Sequence, residues 1–267
     1  MRRLILGWLC ACAMQAVFSQ TDREFLRNGT AGYPLLQDYR MFQPGATALW
    51  GEKGTLHWSA GACSRYGIAG ITTFEGNLQY FESGWIFGIS GRHSALYDIG
   101  YHRNLAGLTG AVRLSENLSA GILLLGHLNR SRELNERSVS IGGIAGMEYS
   151  APGRYFFGIQ SGFLRTLDYD EHIFLLRGGV GISVTRHLFF ALEAESVSGT
   201  PLSVRISMAA NLPSHLRLCV GVGTGKELMH TGIGYKAGTV WTSASTALHE
   251  AGFRSFSLCA TGNHKMP

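Results

Sequence analysis

From about residue 55 onward, apolar and polar positions alternate with period two. In Leu202-Ser203-Val204-Arg205-Ile206-Ser207-Met208 the four apolar residues share one face, and the two serines and the arginine share the other. Leu216, Leu218, Val220 and Val222 alternate with Arg217, Cys219 and Gly221. Leu188, Phe190, Leu192 and Ala194 oppose Phe189, Ala191, Glu193 and Glu195, and Thr55, His57, Ser59 and Gly61 oppose Leu56, Trp58, Ala60 and Ala62. Successive side chains of a strand point to opposite faces, so each segment reads as a strand with one apolar face and one polar or small face.

The segments run about 9–13 residues, where soluble strands average about 5–6 and a tilted membrane strand needs about 9–11. Length therefore favours a membrane barrel over a soluble β-sandwich. The pattern predicts strands at 55–63, 71–81, 85–93, 104–114, 118–128, 137–149, 154–165, 172–184, 188–197, 201–211, 215–223, 228–237, 240–248 and 253–261. That is an all-β, transmembrane antiparallel barrel of about 14 strands. Twelve is the alternative, because 71–93 is poorly patterned. An unpaired sheet edge in lipid leaves backbone groups unsatisfied, so the sheet must close.

Compact turns recur at Ser115-Glu116-Asn117, Ala151-Pro152-Gly153, Thr185-Arg186-His187 and Pro213-Ser214, each leading into an apolar residue: Leu118, Tyr155, Leu188, Leu216. The connections between them include longer, charged stretches at 128–137 and 165–172. Short turns at one rim and longer loops at the other are the asymmetry of outer-membrane barrels.

Composition agrees. Only 15% of the 267 residues are charged, against about a quarter in a soluble domain. Mean hydropathy is +0.07, and the body has no run of 18 apolar residues, which argues against membrane helices. Arg2 and Arg3, the apolar run Leu4 to Phe18 and the exit near Ser19 or Gln20 read as a signal peptide over 1–20. A membrane anchor, or a lipobox at Leu9-Cys10-Ala11-Cys12, are the other readings. Residues 21–54 do not alternate and read as an arm or plug. The barrel is expected over 55–261, followed by a tail at 262–267. Without residues 1–20, Lys+Arg falls from 23 to 21 against 18 acids, about +3. These cations are scattered and not interleaved with an aromatic platform, so nucleic-acid binding has no footing.

Candidate chemistry is sparse. Glu148, Arg177, Glu193, Glu195, Arg205, Arg217 and Lys236 fall on polar faces and form a candidate lumen charge network. A three-residue connection at Ser198-Gly199-Thr200 would set Glu193 opposite Arg205 and cross-link two strands. Such a network either selects ions or fills the lumen. Cys63, Cys219 and Cys259 are too widely spaced for a disulfide framework or a zinc site, though one bridge from Cys219 to either of the others stays open. His57 and Ser59 share a face, as a serine nucleophile and its base require, with Glu75 and Asn77 nearby; a lipid hydrolase is the remote reading. Trp58, Trp85, Tyr155, Phe156, Phe157, Phe189, Phe190 and Trp241 fall near strand ends, where interface girdles sit. The His residues show no metal-ligand spacing, Gly221 to Lys226 lacks the phosphate-loop gap, and no metal or cofactor is expected.

The Gln43-Pro44-Gly45-Ala46-Thr47-Ala48-Leu49 segment and the turn-then-strand Leu114-Ser115-Glu116-Asn117-Leu118-Ser119-Ala120-Gly121 resemble features of the fatty-acid-transporter-like barrels. The final hairpin, Ala244 to Leu258, is similar to that of the PorV/PorQ barrels, accessories of type IX secretion. The resemblance implies a non-enzymatic outer-membrane barrel that meets outer-membrane lipid and a protein partner of a secretion or surface complex. Its alternative is a transporter of hydrophobic small molecules. An apolar lumen patch, with a bulge or bend at Gly142-Gly143 or Gly178-Gly179 opening the wall, would favour transport.

Overall fold

The computed structural model describes residues 53–64, 71–96, 100–131, 136–151, 155–168, 172–185, 187–213, 215–224, 227–249 and 254–265. The expected signal peptide, most of the 21–54 segment and the lipobox cysteines lie outside them.

Fourteen strands form one closed antiparallel barrel. They are β1 (Thr55–Ser64), β2 (Ile71–Glu82), β3 (Trp85–Leu96), β4 (Tyr101–Arg113), β5 (Leu118–Ser131), β6 (Glu136–Ala151) and β7 (Tyr155–Thr166), then β8 (His172–Ser183), β9 (Leu188–Val197), β10 (Ser203–Leu212), β11 (Leu216–Gly223), β12 (Glu227–Ala237), β13 (Val240–His249) and β14 (Arg254–Lys265). Neighbours in sequence pair throughout, and β1 closes on β14 from Thr55↔Lys265 to Ser64↔Phe256. The tail expected at 262–267 is therefore strand as far as Lys265. Its residues are the partners of Thr55 to Trp58, and they are needed for closure.

The poorly patterned 71–93 stretch is two strands, so the count is fourteen and not twelve. Its pattern fails because Phe81 and Ile86 point inward beside Glu75, Asn77, Gln79 and Arg92. Ser83 and Gly84, with φ 44° and 86°, make the two-residue hairpin between them. That backbone matches the twist of the flanking strands.

The turns use a shared device. Ser115 Oγ accepts the amides of Asn117 and Leu118, at 3.3 and 3.1 Å. Thr185 Oγ1 accepts those of His187 and Leu188, at 3.1 and 3.0 Å. A short hydroxyl side chain thus takes the amides that the ladder leaves over. Connections at this turn rim have two to four residues, and those at the opposite loop rim three to six.

The two faces differ sharply. One parity carries exposed apolar side chains, among them Phe87, Leu108, Leu124, Phe174 and Leu258, each more than half exposed. The other carries buried polar and small ones, including Ser119, His127, Ser140, Glu148 and Arg177. An apolar band of this extent would be untenable in water and is what hydrocarbon requires. The second parity lines the lumen.

The wall is unbroken at the glycine pairs. Gly142 faces Leu125 and Leu164, Gly143 faces Leu124 and Phe163, and Gly178 and Gly179 face Ile159 and Gly158, all in continuous register. The only register shift among the described pairings is at Glu227/Met229. Neither pair opens the wall with a bend, and Gly142 instead admits the close approach of β7. A Cβ on Gly142 would overlap the Phe163 carbonyl oxygen.

Candidate functional site: the lumen

All seven charged residues of the proposed network have lumen parity. They do not form one ring. Glu193 on β9 stands between two arginines: Arg177 Nη2 on β8 lies 3.4 Å from its carboxylate, and Arg205 Nη1 on β10 lies 3.7 Å away. Arg205 is directly opposite Glu193 in the ladder. The connection between β9 and β10 sets this register. Thr200 N donates to Val197 O at 3.0 Å, and Gly199 has φ 70°. Glu195 lies opposite Arg177 on the same row. Arg217 and Lys236 form a separate group at the turn rim. Arg217 Nε donates to Asn211 Oδ1 at 2.8 Å, and its guanidinium lies 4.9 Å from the Trp241 ring centre. The Lys236 ammonium is 5.9 Å from the same ring. Glu148 lies apart, buried opposite Ser119 and Gly158.

Trp58, Trp85, Tyr155, Phe157 and Phe190 sit on the outer wall as a girdle should, whereas Phe189 and Trp241 face the lumen. The Phe156 side chain lies outside the described set. Cys63, Cys219 and Cys259 lie on the lumen face and are not joined by a disulfide. His57 and Ser59 also face the lumen, away from membrane lipid. The His57 ring leans on Phe81 at 4.3 Å between centroids, and Ser59 is opposite Asn77.

Two polar pairs were not foreseen. Arg92 Nη2 donates to Glu75 Oε2 at 2.5 Å. Arg103 Nε donates to His127 Nε2 at 2.5 Å, with both side chains buried. The first was available from the hairpin, since a turn at Ser83-Gly84 sets residue 75 against residue 92.

The larger omission is apolar. Leu123, Leu125, Ile144, Leu164, Ile173, Leu175 and Val197 are all lumen-facing and at most 4% exposed, and they form one cluster with Leu105 packed against it. The cluster interrupts the polar lining of β4–β9. Along β5 the lumen order is His127, then Leu125 and Leu123, then Ser119; along β7 it is Thr166, Leu164, then Gln160. The lumen wall of β10–β14 is mixed instead, with Ser207, Ala209, Cys219, Ser243, Ser245 and Ser257 beside Arg205, Arg217, His230, Lys236 and Trp241. The lumen is thus two-sided: a bulky apolar shelf lies on β4–β9, and the lining of β10–β14 is polar or small apart from Trp241.

No protein family and no curated sequence matches the chain. Solved structures do. The toluene transporter TbuX of Ralstonia pickettii is 8% identical, with 85% of this chain and 93% of that one covered at a TM-score of 0.57. The Pseudomonas putida toluene transporter TodX is 9% identical, with 84% and 92% covered and a TM-score of 0.53. A bacterial polysaccharide outer-membrane secretin is 9% identical, with 81% and 100% covered and a TM-score of 0.51. The chain is an outer-membrane β-barrel. Its likeness to these structures is one of fold.

Proposed function

We propose that the barrel passes small hydrophobic molecules across the outer membrane and does so without catalysis. The turn-and-strand motifs suggested a secretion accessory instead; the lumen favours transport. The observation that carries this is the apolar shelf of Leu123, Leu125, Ile144, Leu164 and Leu175 on the lumen face. A water-filled pore gains nothing from leucines on its lining. An apolar solute that parts these packed side chains does, at about 25 cal/mol per Å2 of its own surface taken from water. The neighbours in fold that are named as toluene transporters agree with this reading.

The charged groups that bracket the shelf keep the rest of the lumen polar and cross-linked. Glu193 holds β8, β9 and β10 together through Arg177 and Arg205, so the wall beside the shelf is stiff. The apolar shelf also opposes ion flow, because an apolar lining holds water poorly.

Leu123→Asn combined with Leu175→Asn tests this. Uptake of an apolar fluorophore by cells carrying the variant should fall several-fold relative to wild type. Ionic conductance of the same protein in planar bilayers should rise, because the lining becomes wettable. If both quantities stay at wild-type values in a correctly folded variant, the shelf has no part in passage.

A hydrolytic reading makes the opposite demand of Ser59. Ser59→Ala should leave fluorophore uptake unchanged and release no fatty acid less than wild type does from phospholipid vesicles.

A further inference from the structure

The outer wall carries a feature that transport through the lumen does not explain. On β5 and β6, Arg130 and Arg137 are direct cross-strand partners. Both lie on the membrane-facing parity, since Asn129 and Ser131 beside Arg130 are buried and Arg130 itself is exposed. His102 of β4 is opposite Arg130 on the other side, and its ring stacks on His93 with centroids 5.7 Å apart. Like charges set directly opposite on one sheet face repel. Among the residues whose side chains are described, none sets a carboxylate between the two arginines. Asp168, the nearest acid of the β7 end, spends its Oδ2 on the Val139 amide at 2.7 Å.

Immediately below this cationic row the outer wall is shallow. The next rows toward the membrane centre are Asn104–Leu128–Val139 and then Ala106–Gly126–Ile141. A Cβ on Gly126 would meet no atom within 4 Å, so the wall is open there. Leu108, Leu124 and Leu128 flank the opening. Farther down the same strands, Gly110, Ala120 and Ala145 form the floor of an apolar concavity of about 710 Å3, walled by Trp85, Phe87 and Met147.

We propose that Arg130 and Arg137 bind the phosphate of an outer-leaflet lipid whose acyl chain lies over Gly126. Three features select this occupant. Paired guanidiniums match phosphate oxygens bidentately, and the anion relieves their repulsion. The site sits at the loop rim, which faces outward in barrels of this asymmetry. The open strip beneath it lies within the apolar band, where an acyl chain meets apolar side chains such as Leu108, Leu124 and Leu128. The inference does not depend on transport.

The test uses the refolded full chain and phosphorylated lipid A, lipid A stripped of phosphate, and inorganic phosphate as separate probes. Lipid retention is read by native mass spectrometry, and phosphate binding by titration. Wild type should retain phosphorylated lipid A. Arg130→Gln with Arg137→Gln should weaken that retention roughly tenfold or more, the effect of losing charge-assisted hydrogen bonds. Gly126→Leu should weaken lipid binding and leave the response to inorganic phosphate unchanged, which assigns the anion to a lipid. Ala194→Leu, on the outer wall of β9 well away from the strip, serves as the control and should bind as wild type.

The proposal is overturned if wild type retains no lipid A, or if the double arginine variant retains it as wild type does. It is also overturned if stripped lipid A binds as well as the phosphorylated form. Equal binding of inorganic phosphate with no effect of Gly126→Leu would mean a free-anion site only. Loss of a dimer, in place of loss of lipid, in Gly126→Leu would assign the strip to a second copy.

Discussion

Gly142→Ala should prevent most of the chain from reaching its native barrel. Gly142 points into the lumen between Leu125 and Leu164, at the centre of the apolar shelf. An added Cβ would overlap the carbonyl oxygen of Phe163 and stand 2.9 Å from Leu164 Cα. Both are backbone atoms of the paired strand, so no side-chain rotation relieves the clash. β6 and β7 would have to separate, at a cost of about 3 kcal/mol or more. Heat-modifiable gel migration after refolding measures the outcome. Gly126→Ala is the matched comparison: its Cβ enters open space. It should fold as wild type and gain slightly, by roughly 0.5 kcal/mol, from the lower entropy of the unfolded chain. Equal folding of the two alanine variants would show that β6 and β7 do not approach as closely as described.

Glu193→Ala should be the most damaging single change among the charged lumen residues. It removes the carboxylate that bridges Arg177 and Arg205, whose side chains are 7% and 15% exposed, and leaves Glu195 opposite Arg177 as the nearby acid. Removing one partner of a buried ion pair costs on the order of 3 kcal/mol. Arg205→Ala should cost less, because Glu193 keeps Arg177 at 3.4 Å. Urea unfolding of the refolded barrel in lipid gives the ranking. Because the group is shielded from solvent, added salt should narrow the difference only slightly. If Arg205→Ala proves worse than Glu193→Ala, Glu193 is not the hub.

The outer wall was the most legible part of the chain. Leu202-Ser203-Val204-Arg205-Ile206-Ser207-Met208 can satisfy lipid on one side and a polar lumen on the other in only one register, and so β10 and its pairing with β9 could be read directly. With that parity, a three-residue connection at Ser198-Gly199-Thr200 puts Glu193 opposite Arg205, as the ladder has it. Strand ends were less legible where alternation stops before pairing does. β14 continues through Gly262 to Lys265 because β1 needs partners there, not because those residues alternate.

The lumen shelf was hidden for a physical reason. Leu123 and Leu125 lie in Ile122-Leu123-Leu124-Leu125, where both faces of β5 are apolar and alternation disappears. The network was overread for a related reason. Parity says that Arg217 and Lys236 face inward, but not that Trp241 holds them at the turn rim, far along the strands from Glu193. A glycine pair such as Gly142-Gly143 can mark a bend or simply pack in the lumen wall, and alternation does not choose between the two. The ladder shows a second use, close contact between strands that stay straight.

The most direct test of passage is the entry of phenylnaphthylamine into intact cells whose own outer membrane excludes it. Cells that display the folded barrel should take up the probe several-fold faster than cells with an empty outer membrane, while entry of a similarly sized ionic dye stays unchanged. Probe entry equal to that of cells lacking the barrel, with the protein folded and inserted, would contradict a hydrophobic path through the lumen.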